Sequence, residues 1–402
     1  MTRAEAVQCD WYDPLASFRG RFSLPDGVIY LDGNSLGPLP RATAERIAAV
    51  VRREWGKSLI QSWNDHGWID LAARVGDKIG RLIGAAPGCT IVADSTSVNL
   101  FKLLSAALAL RPGRRVILTE AGNFPTDLYI AQGLAELTGC IVRCEADPLA
   151  ALNDDVAVLL LTHVNYRSGA MHDMASITRR AHDAGALVLW DLSHSVGAVP
   201  LSLAADNVDF AVGCGYKYLN GGPGAPAFLS VAPRLLPGLR SPLTGWLGHA
   251  EPFAFADDYR PAPGIARAVV GTPPILSLAA LEVGVDLMLE APADALRVKS
   301  AQLTGMFMRL VDGLGFRLLT PTDPARRGSQ VAFAHPHGYA IMQAMIERGV
   351  IGDFRAPDVL RFGFAPLFLR YADVWDAASA LQSVMVSGAW HETRFQQRRV
   401  VT

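Results

Sequence analysis

Between about residues 88 and 232, short apolar, β-branched runs alternate with longer stretches whose apolar residues recur at helical spacing. The runs 91–93, 116–119, 141–144, 156–162, 187–192, 210–213 and 226–231 predict strands. Residues 97–110, 127–137 and 174–184 predict helices between them. This alternation predicts an α/β fold with a mainly parallel seven-stranded sheet covered by helices. In such sheets ligands sit beyond the carboxyl ends of the strands.

The flanks read differently. Residues 1–40 form an arm with turn signals at Leu24-Pro25-Asp26-Gly27 and at Asp32-Gly33-Asn34-Ser35. A helical pattern follows over 41–55, with Ile47, Val50 and Val51 on one face. A Pro- and Gly-rich passage covers 252–274, a long helical pattern runs over 275–289, and the remainder reads as helix, strands and helix. We therefore expect three units: an arm and helix over 1–60 packing with the small domain, a large α/β domain over 61–280, and a smaller α+β domain over 281–402.

At 402 residues the chain can bury a large core. A net charge of −1, with scattered arginines and no basic stripe, argues against a nucleic-acid partner. No apolar run reaches the roughly 18 residues of a membrane span. The N-terminus carries Glu5, Asp10 and Asp13 instead of an apolar signal core, and the reading is a cytoplasmic protein. Five cysteines in no CxxC pair fit reduced thiols.

Candidate chemistry centres on Lys217, in the glycine-rich stretch Gly213-Cys214-Gly215-Tyr216-Lys217-Tyr218-Leu219-Asn220-Gly221-Gly222. Tight turns of this kind can present a lysine into a pocket. Asp191 ends the apolar run before it. A strand-end carboxylate followed by a lysine after the next strand suits pyridoxal phosphate: the lysine holds the aldehyde covalently, and the aspartate keeps the pyridine nitrogen protonated. Thr96 and Ser97 precede a helix and could cradle a phosphate, although a plain helix cap is the commoner use of such residues in isolation. Phe124 could stack on a flat ring and Asp127 bond its edge, although a turn and a cap also fit that segment. Asp191 and His194 can face one pocket. His163 and His172 match no zinc spacing, and no metal is expected.

These segments together resemble kynureninase, a pyridoxal-phosphate enzyme of fold type I. The resemblance rests on Tyr30-Leu31-Asp32-Gly33-Asn34-Ser35-Leu36-Gly37, Val98-Asn99-Leu100, Phe124-Pro125-Thr126-Asp127, Asp191 with His194, and Tyr216-Lys217-Tyr218-Leu219-Asn220. It continues through Gly245-Trp246-Leu247-Gly248-His249, Thr272-Pro273-Pro274-Ile275-Leu276, and Arg361 before Pro366-Leu367. The lysine segment alone indicates the superfamily. The N-terminal signature and the Gly-Trp-Leu-Gly-His segment point to the family.

The resemblance implies hydrolysis of L-kynurenine to anthranilate and L-alanine, in tryptophan catabolism, with pyridoxal 5'-phosphate as cofactor. It implies that Lys217 bonds the cofactor and carries protons, that Asp191 pairs with the pyridine nitrogen and that Phe124 stacks on the ring. Thr96, Ser97, Ser168 and Tyr216 would bind phosphate or the cofactor edge, with Asp127 and His194 in support. Trp246 and Thr272 would reach the phosphate from the partner of a homodimer with shared sites. Arg361 would clamp the substrate carboxylate at two points, and Tyr216 would pass protons at the carbonyl. Trp63 and Thr272, at positions where vertebrate members carry histidine and asparagine, look like the bacterial, kynurenine-preferring type. Other fold type I activities stay open: an aminotransferase, a cysteine desulfurase (although no cysteine follows Cys214), or a non-catalytic cofactor-binding dimer.

Overall fold

A computed structural model describes residues 1–398. Seven strands form the large sheet: β1 (Thr90–Val92), β2 (Val116–Glu120), β3 (Ile141–Glu145), β4 (Val156–Thr162), β5 (Leu187–Asp191), β6 (Phe210–Gly213) and β7 (Phe228–Val231). Their order is β1-β7-β6-β5-β4-β2-β3. β7 runs antiparallel to both β1 and β6, and every other pair is parallel. The expected seven-stranded, mainly parallel sheet is therefore present.

The central strands are continuously apolar because helices cover both faces. All seven residues of β4 and all five of β5 are buried. Each large aliphatic side chain removed from water there contributes about 1.5–3 kcal/mol before conformational entropy is subtracted. β3 is an edge strand, and its Ile141 and Cys144 remain exposed.

The topology decides where a ligand can sit. The chain passes from β2 outward to β3, then returns to β4 on the other side of β2. That reversal opens a crevice beyond the carboxyl ends of β2 and β4. Thr162 pairs with Asp191, and Asp191 with Val212, so β4, β5 and β6 deliver their ends at one level.

A second, four-stranded antiparallel sheet joins Arg317–Leu318, Gln330–Ala334, Val359–Gly363 and Asp353–Arg355, in that spatial order. The N-terminal strand Ile29–Tyr30 pairs with Val350–Ile351. Leu31 N–H donates to the Ile351 carbonyl, and Gly363 N–H to that of Leu31, each at 2.6 Å. The arm is thereby sewn into the C-terminal sheet before it reaches the crevice.

The helix expected over 41–55 changes character midway. Arg41–Ala49 is α-helical, and Val50–Ser58 continues with wider, i→i+5 turns. The Ser62 hydroxyl donates to the Glu54 carbonyl at 2.6 Å, and Trp68 Nε1 and Arg46 hold the Glu54 carboxylate. The Ser62 hydroxyl thus takes up a carbonyl that a regular helix would engage itself.

Candidate active site

The loops beyond β1, β2, β4, β5 and β6 enclose a cavity of about 680 Å³, whose wall includes Ser95, Thr96, Ser97, Phe124, Tyr166, Asp191, His194, Tyr216, Lys217 and Thr272. Its size suits a small-molecule site.

The lysine turn follows β6. Gly221 N–H donates to the Gly215 carbonyl at 2.9 Å, and Asn220 N–H to that of Lys217 at 2.9 Å. A Cβ at Gly215 would lie 2.5 Å from the Pro226 carbonyl oxygen, so the turn accepts only glycine there. Lys217 Nζ lies 5.8 Å from the Phe124 ring centroid and 5.9 Å from that of Tyr216. It has no hydrogen-bond or ion-pair partner among the described residues.

Two carboxyls face this lysine. Asp191, at the end of β5, accepts from the Ser193 N–H at 2.8 Å and from the Ser193 hydroxyl at 2.6 Å. Both bonds fall on Oδ1, which fixes the group and leaves Oδ2 without a partner among the described residues. Asp127, in the first turn of the helix Pro125–Thr138, accepts from the Thr162 hydroxyl at 3.1 Å through Oδ2, while its buried Oδ1 is unpartnered. Burial, and then the charge of Asp191, push the Asp127 carboxyl well above the ordinary carboxylate range. Burial likewise raises Asp191, against the Ser193 bonds and Lys217. With Phe124 and Lys217 in the same cavity wall, the Asp191 oxygen left free by Ser193 fits the protonated nitrogen of a pyridoxal ring.

At the side of the cavity lined by Ser95, Thr96 and Ser97, the helix Thr96–Leu110 starts one or two residues earlier than its pattern predicts. Ser95 is its cap, accepting from Val98 N–H at 3.3 Å. That frees Thr96 and Ser97 from capping and leaves their N–H groups and hydroxyls at a helix N-terminus, which favours an anion. Asp94 stands just before the cap in a left-handed conformation (φ 48°), costly for a residue with a Cβ and sustained only by its surroundings.

His194 Nδ1 lies 3.0 Å from Gln330 Oε1, whose other contact is Asn34 Nδ2 at 3.3 Å. Burial, then the charges of Lys217 and Arg361, hold the imidazole well below its ordinary pKa, so it is neutral. A neutral ring donating from Nδ1 presents Nε2 as an acceptor. Cys214, and then burial, raise the pKa of the Tyr216 phenol, which stays protonated at neutral pH.

Other expected residues lie elsewhere. Ser168 is outside the cavity wall: its hydroxyl is 3.2 Å from Asn165 Oδ1. Trp63 packs edge-on against Trp68, also away from the wall. Thr272 lines the cavity of its own chain. Trp246 does not; it is 41% exposed and packs edge-on against the exposed Phe253. The glycines beside it serve close packing, since a Cβ at Gly245 would meet the Val270 carbonyl oxygen at 1.8 Å.

Arg361 is buried behind Tyr166. As cross-strand partners, Arg361 and Asp353 share a face of the small sheet. Asp353 accepts from Arg361 Nε at 2.7 Å and from Nη2; Nη2 also reaches the Ser35 hydroxyl at 3.1 Å, and Nη1 the Tyr166 carbonyl. Four of the five guanidinium N–H groups are thus engaged. The two-point clamp expected for Arg361 would need one of these bonds to open. Beside it, burial and then the Asp353 charge push Asp32 up to about 7.

Sequence reasoning did not single out Asp94, Ser95, Tyr166, Gln330 or Asp353. Gln330 carried a signal, as a lone amide opening the apolar run Gln330-Val331-Ala332-Phe333-Ala334.

Comparison with known proteins agrees with this geometry. Residues 296–381 match the family model described as the kynureninase C-terminal domain. The chain is 51% identical to a kynureninase of Burkholderia pseudomallei strain 1106a over 414 aligned residues, covering 100% of both chains. Among solved structures, a cysteine desulfurase from Thermococcus onnurineus NA1 superposes with a TM-score of 0.78 at 17% identity, over 92% of this chain and 98% of that one. A C-DES variant with glycine covalently linked to its PLP cofactor superposes with a TM-score of 0.76 at 19% identity, over 90% and 98%. At such identities the structural likenesses speak for the fold.

Proposed function

The chain belongs to the kynureninase family, and on that premise we propose that it hydrolyses L-kynurenine to anthranilate and L-alanine. The observation that carries the reading is Asp191 and Lys217 in the wall of one cavity, with the buried Asp127 carboxyl close enough to Asp191 to feel its charge.

Pyridoxal 5'-phosphate, when bound there, supplies an electron sink for charge developing at the substrate's Cα and Cβ, which lets the Cβ–Cγ bond break. The chain's own groups do the rest. Thr96 and Ser97 would hold the phosphate at the helix N-terminus, and Phe124 would stack on the ring. Asp191 would accept from the pyridine N–H, with Asp127 and His194 in support. Lys217 Nζ would bond the cofactor and, once released, would carry the proton at the substrate's Cα. The Tyr216 phenol, which keeps its proton at neutral pH, donates to the γ-carbonyl oxygen as water adds there. Arg361, through its free N–H and whichever bond opens, receives the substrate carboxylate.

The same reading makes the protein a homodimer. Trp246, Phe253 and Phe255 form an exposed aromatic strip, which a second copy would cover, bringing Trp246 toward the partner's phosphate. Ser168 and Trp63 would meet cofactor or substrate only after movement of their segments. The five free cysteines support a reducing, cytoplasmic setting; among the described residues no helix is long and apolar enough to cross a membrane.

The test is purified protein with L-kynurenine. Blue anthranilate fluorescence is expected. A pyridoxamine form without anthranilate would mark an aminotransferase, and a yellow protein inert to amino acids would mark a non-catalytic binder.

A further inference from the structure

The turn that precedes the hydroxyl cradle contains a carboxylate. Asp94 lines the cavity beside Ser95, Thr96 and Ser97, and its side chain is 33% exposed. A carboxylate beside a phosphate opposes binding unless something cancels it. The cancelling group comes from two turns along the helix. Lys102 is buried, and its side chain runs back toward the helix N-terminus, as helical side chains do. Its ammonium forms an ion pair with Asp94 and donates to the Ala268 carbonyl at 2.6 Å. Ala268 lies just upstream of Val269–Thr272, which form another part of the cavity wall.

We propose that Lys102 is a positioning residue for cofactor binding: it cancels the Asp94 charge at the phosphate turn and ties that turn to the segment carrying Thr272. The proposal rests on the reading of Thr96 and Ser97 as the phosphate cradle. Three further features support it. The Asp94 carbonyl accepts from Ala227 N–H at 2.9 Å, and the Ala93 carbonyl from Asn99 Nδ2 at 2.7 Å, so the turn is held on both sides of its left-handed residue. Burial lowers the Lys102 pKa while Asp94 opposes that shift, so the lysine's charge depends on its partner. Neither residue touches Lys217 or the carboxyl pair through any hydrogen bond or ion pair among the described residues. The effect should therefore fall on cofactor affinity.

The experiment titrates the apo full-length protein with pyridoxal 5'-phosphate, followed by protein fluorescence, with inorganic phosphate as competitor. Lys102→Met should weaken both ligands at least about tenfold, since an uncancelled carboxylate in the wall beside the phosphate cradle would be felt at that level even in a well-screened site. Lys102→Met combined with Asp94→Asn should return to within about threefold of wild type, because the repulsive charge is gone. A merely structural lysine would show no such rescue. Unchanged affinity in Lys102→Met, or a double variant as weak as the single, overturns the proposal. If Lys102→Met does not fold, Lys102→Gln takes its place in both comparisons, and the same outcomes support or overturn the proposal. Wild-type protein that does not bind pyridoxal 5'-phosphate would instead overturn the cofactor reading beneath it.

Discussion

Gly37 closes the N-terminal signature segment, and the structure gives it a job that can be tested with one methyl group. Its N–H donates to the Tyr216 carbonyl at 2.8 Å, so the arm rests directly on the lysine turn. A Cβ there would lie 2.3 Å from the Lys217 carbonyl oxygen, 2.4 Å from Asn220 Oδ1 and 2.9 Å from Asn220 Cα. An ordinary carbon–oxygen contact needs about 3.3 Å, so arm and turn must part by about 1 Å. Gly37 is not among the residues with positive φ, so alanine meets no backbone penalty and the effect is purely steric. Neither side yields easily. Lys217 O accepts from Asn220 N–H, Asn220 Nδ2 donates to the Tyr218 carbonyl at 2.9 Å, and the arm is sewn to Ile351 and Gly363. Overpacking of this kind costs about 1–3 kcal/mol of stability. A catalytic group displaced by about 1 Å can lose about a hundredfold in rate. Gly37→Ala should therefore fold with a lowered melting temperature and show kcat for L-kynurenine reduced about tenfold to a hundredfold, measured by anthranilate release at saturating cofactor. A variant with kcat within about threefold of wild type and an unchanged melting temperature would refute the reasoning.

Three other outcomes are expected. Asp191→Asn should keep most cofactor affinity but slow Cα proton exchange by several powers of ten; exchange of the α-proton in deuterated water at the wild-type rate would defeat its assignment to the pyridine nitrogen. Mixing Lys217→Ala protein with Trp246→Ala protein, each inactive alone, should restore partial activity in hybrid dimers; verified subunit exchange without recovery would count against a shared site. His163 is buried with its Nδ1 2.8 Å from the Ser195 hydroxyl, and burial, then the neighbouring His172, lower its pKa to about 4. The unfolded chain, at about 6.5, binds the extra proton between those values, so stability is full above about pH 6.5, falls as pH drops, and is about 2 kcal/mol lower at pH 5. Urea unfolding of wild type and His163→Gln at pH 7 and 5 checks this, and equal losses in both proteins would refute it.

Much of the large domain was legible because its strands are buried on both faces. Runs such as Val156–Thr162 leave few alternatives to a covered sheet, and their ends were found within a residue or two. The lysine turn was legible through its glycines. The start of the phosphate helix was less so, because four residues with capping or hydroxyl character stand in a row, Asp94-Ser95-Thr96-Ser97, and only geometry shows that Ser95 takes the cap. The wide-turned continuation Val50–Ser58 of the helix that begins at Arg41 was illegible, since Ser62 and Trp68 reach back to Glu54 from beyond it.

Arg361 is the most instructive residue. Arginine is the natural partner for a substrate carboxylate, and its place in the chain order made Arg361 a candidate. Sequence could not reveal that its strand neighbour supplies a carboxylate of its own. Strand register alone places Asp353 opposite Arg361, and Ser35 arrives from more than three hundred residues away. The consequence is electrostatic. Arg361 is already neutralised, and Asp32, pushed up to about 7, sits in the same cluster. A substrate carboxylate arriving there would be a third acidic group around one guanidinium and the more exposed Arg355. Asp353, held below the usual carboxylate range by Arg361 despite its burial, does not readily take a proton. Asp32 is the group positioned to take it, so the cluster can accept the substrate's charge without leaving a buried carboxylate uncompensated.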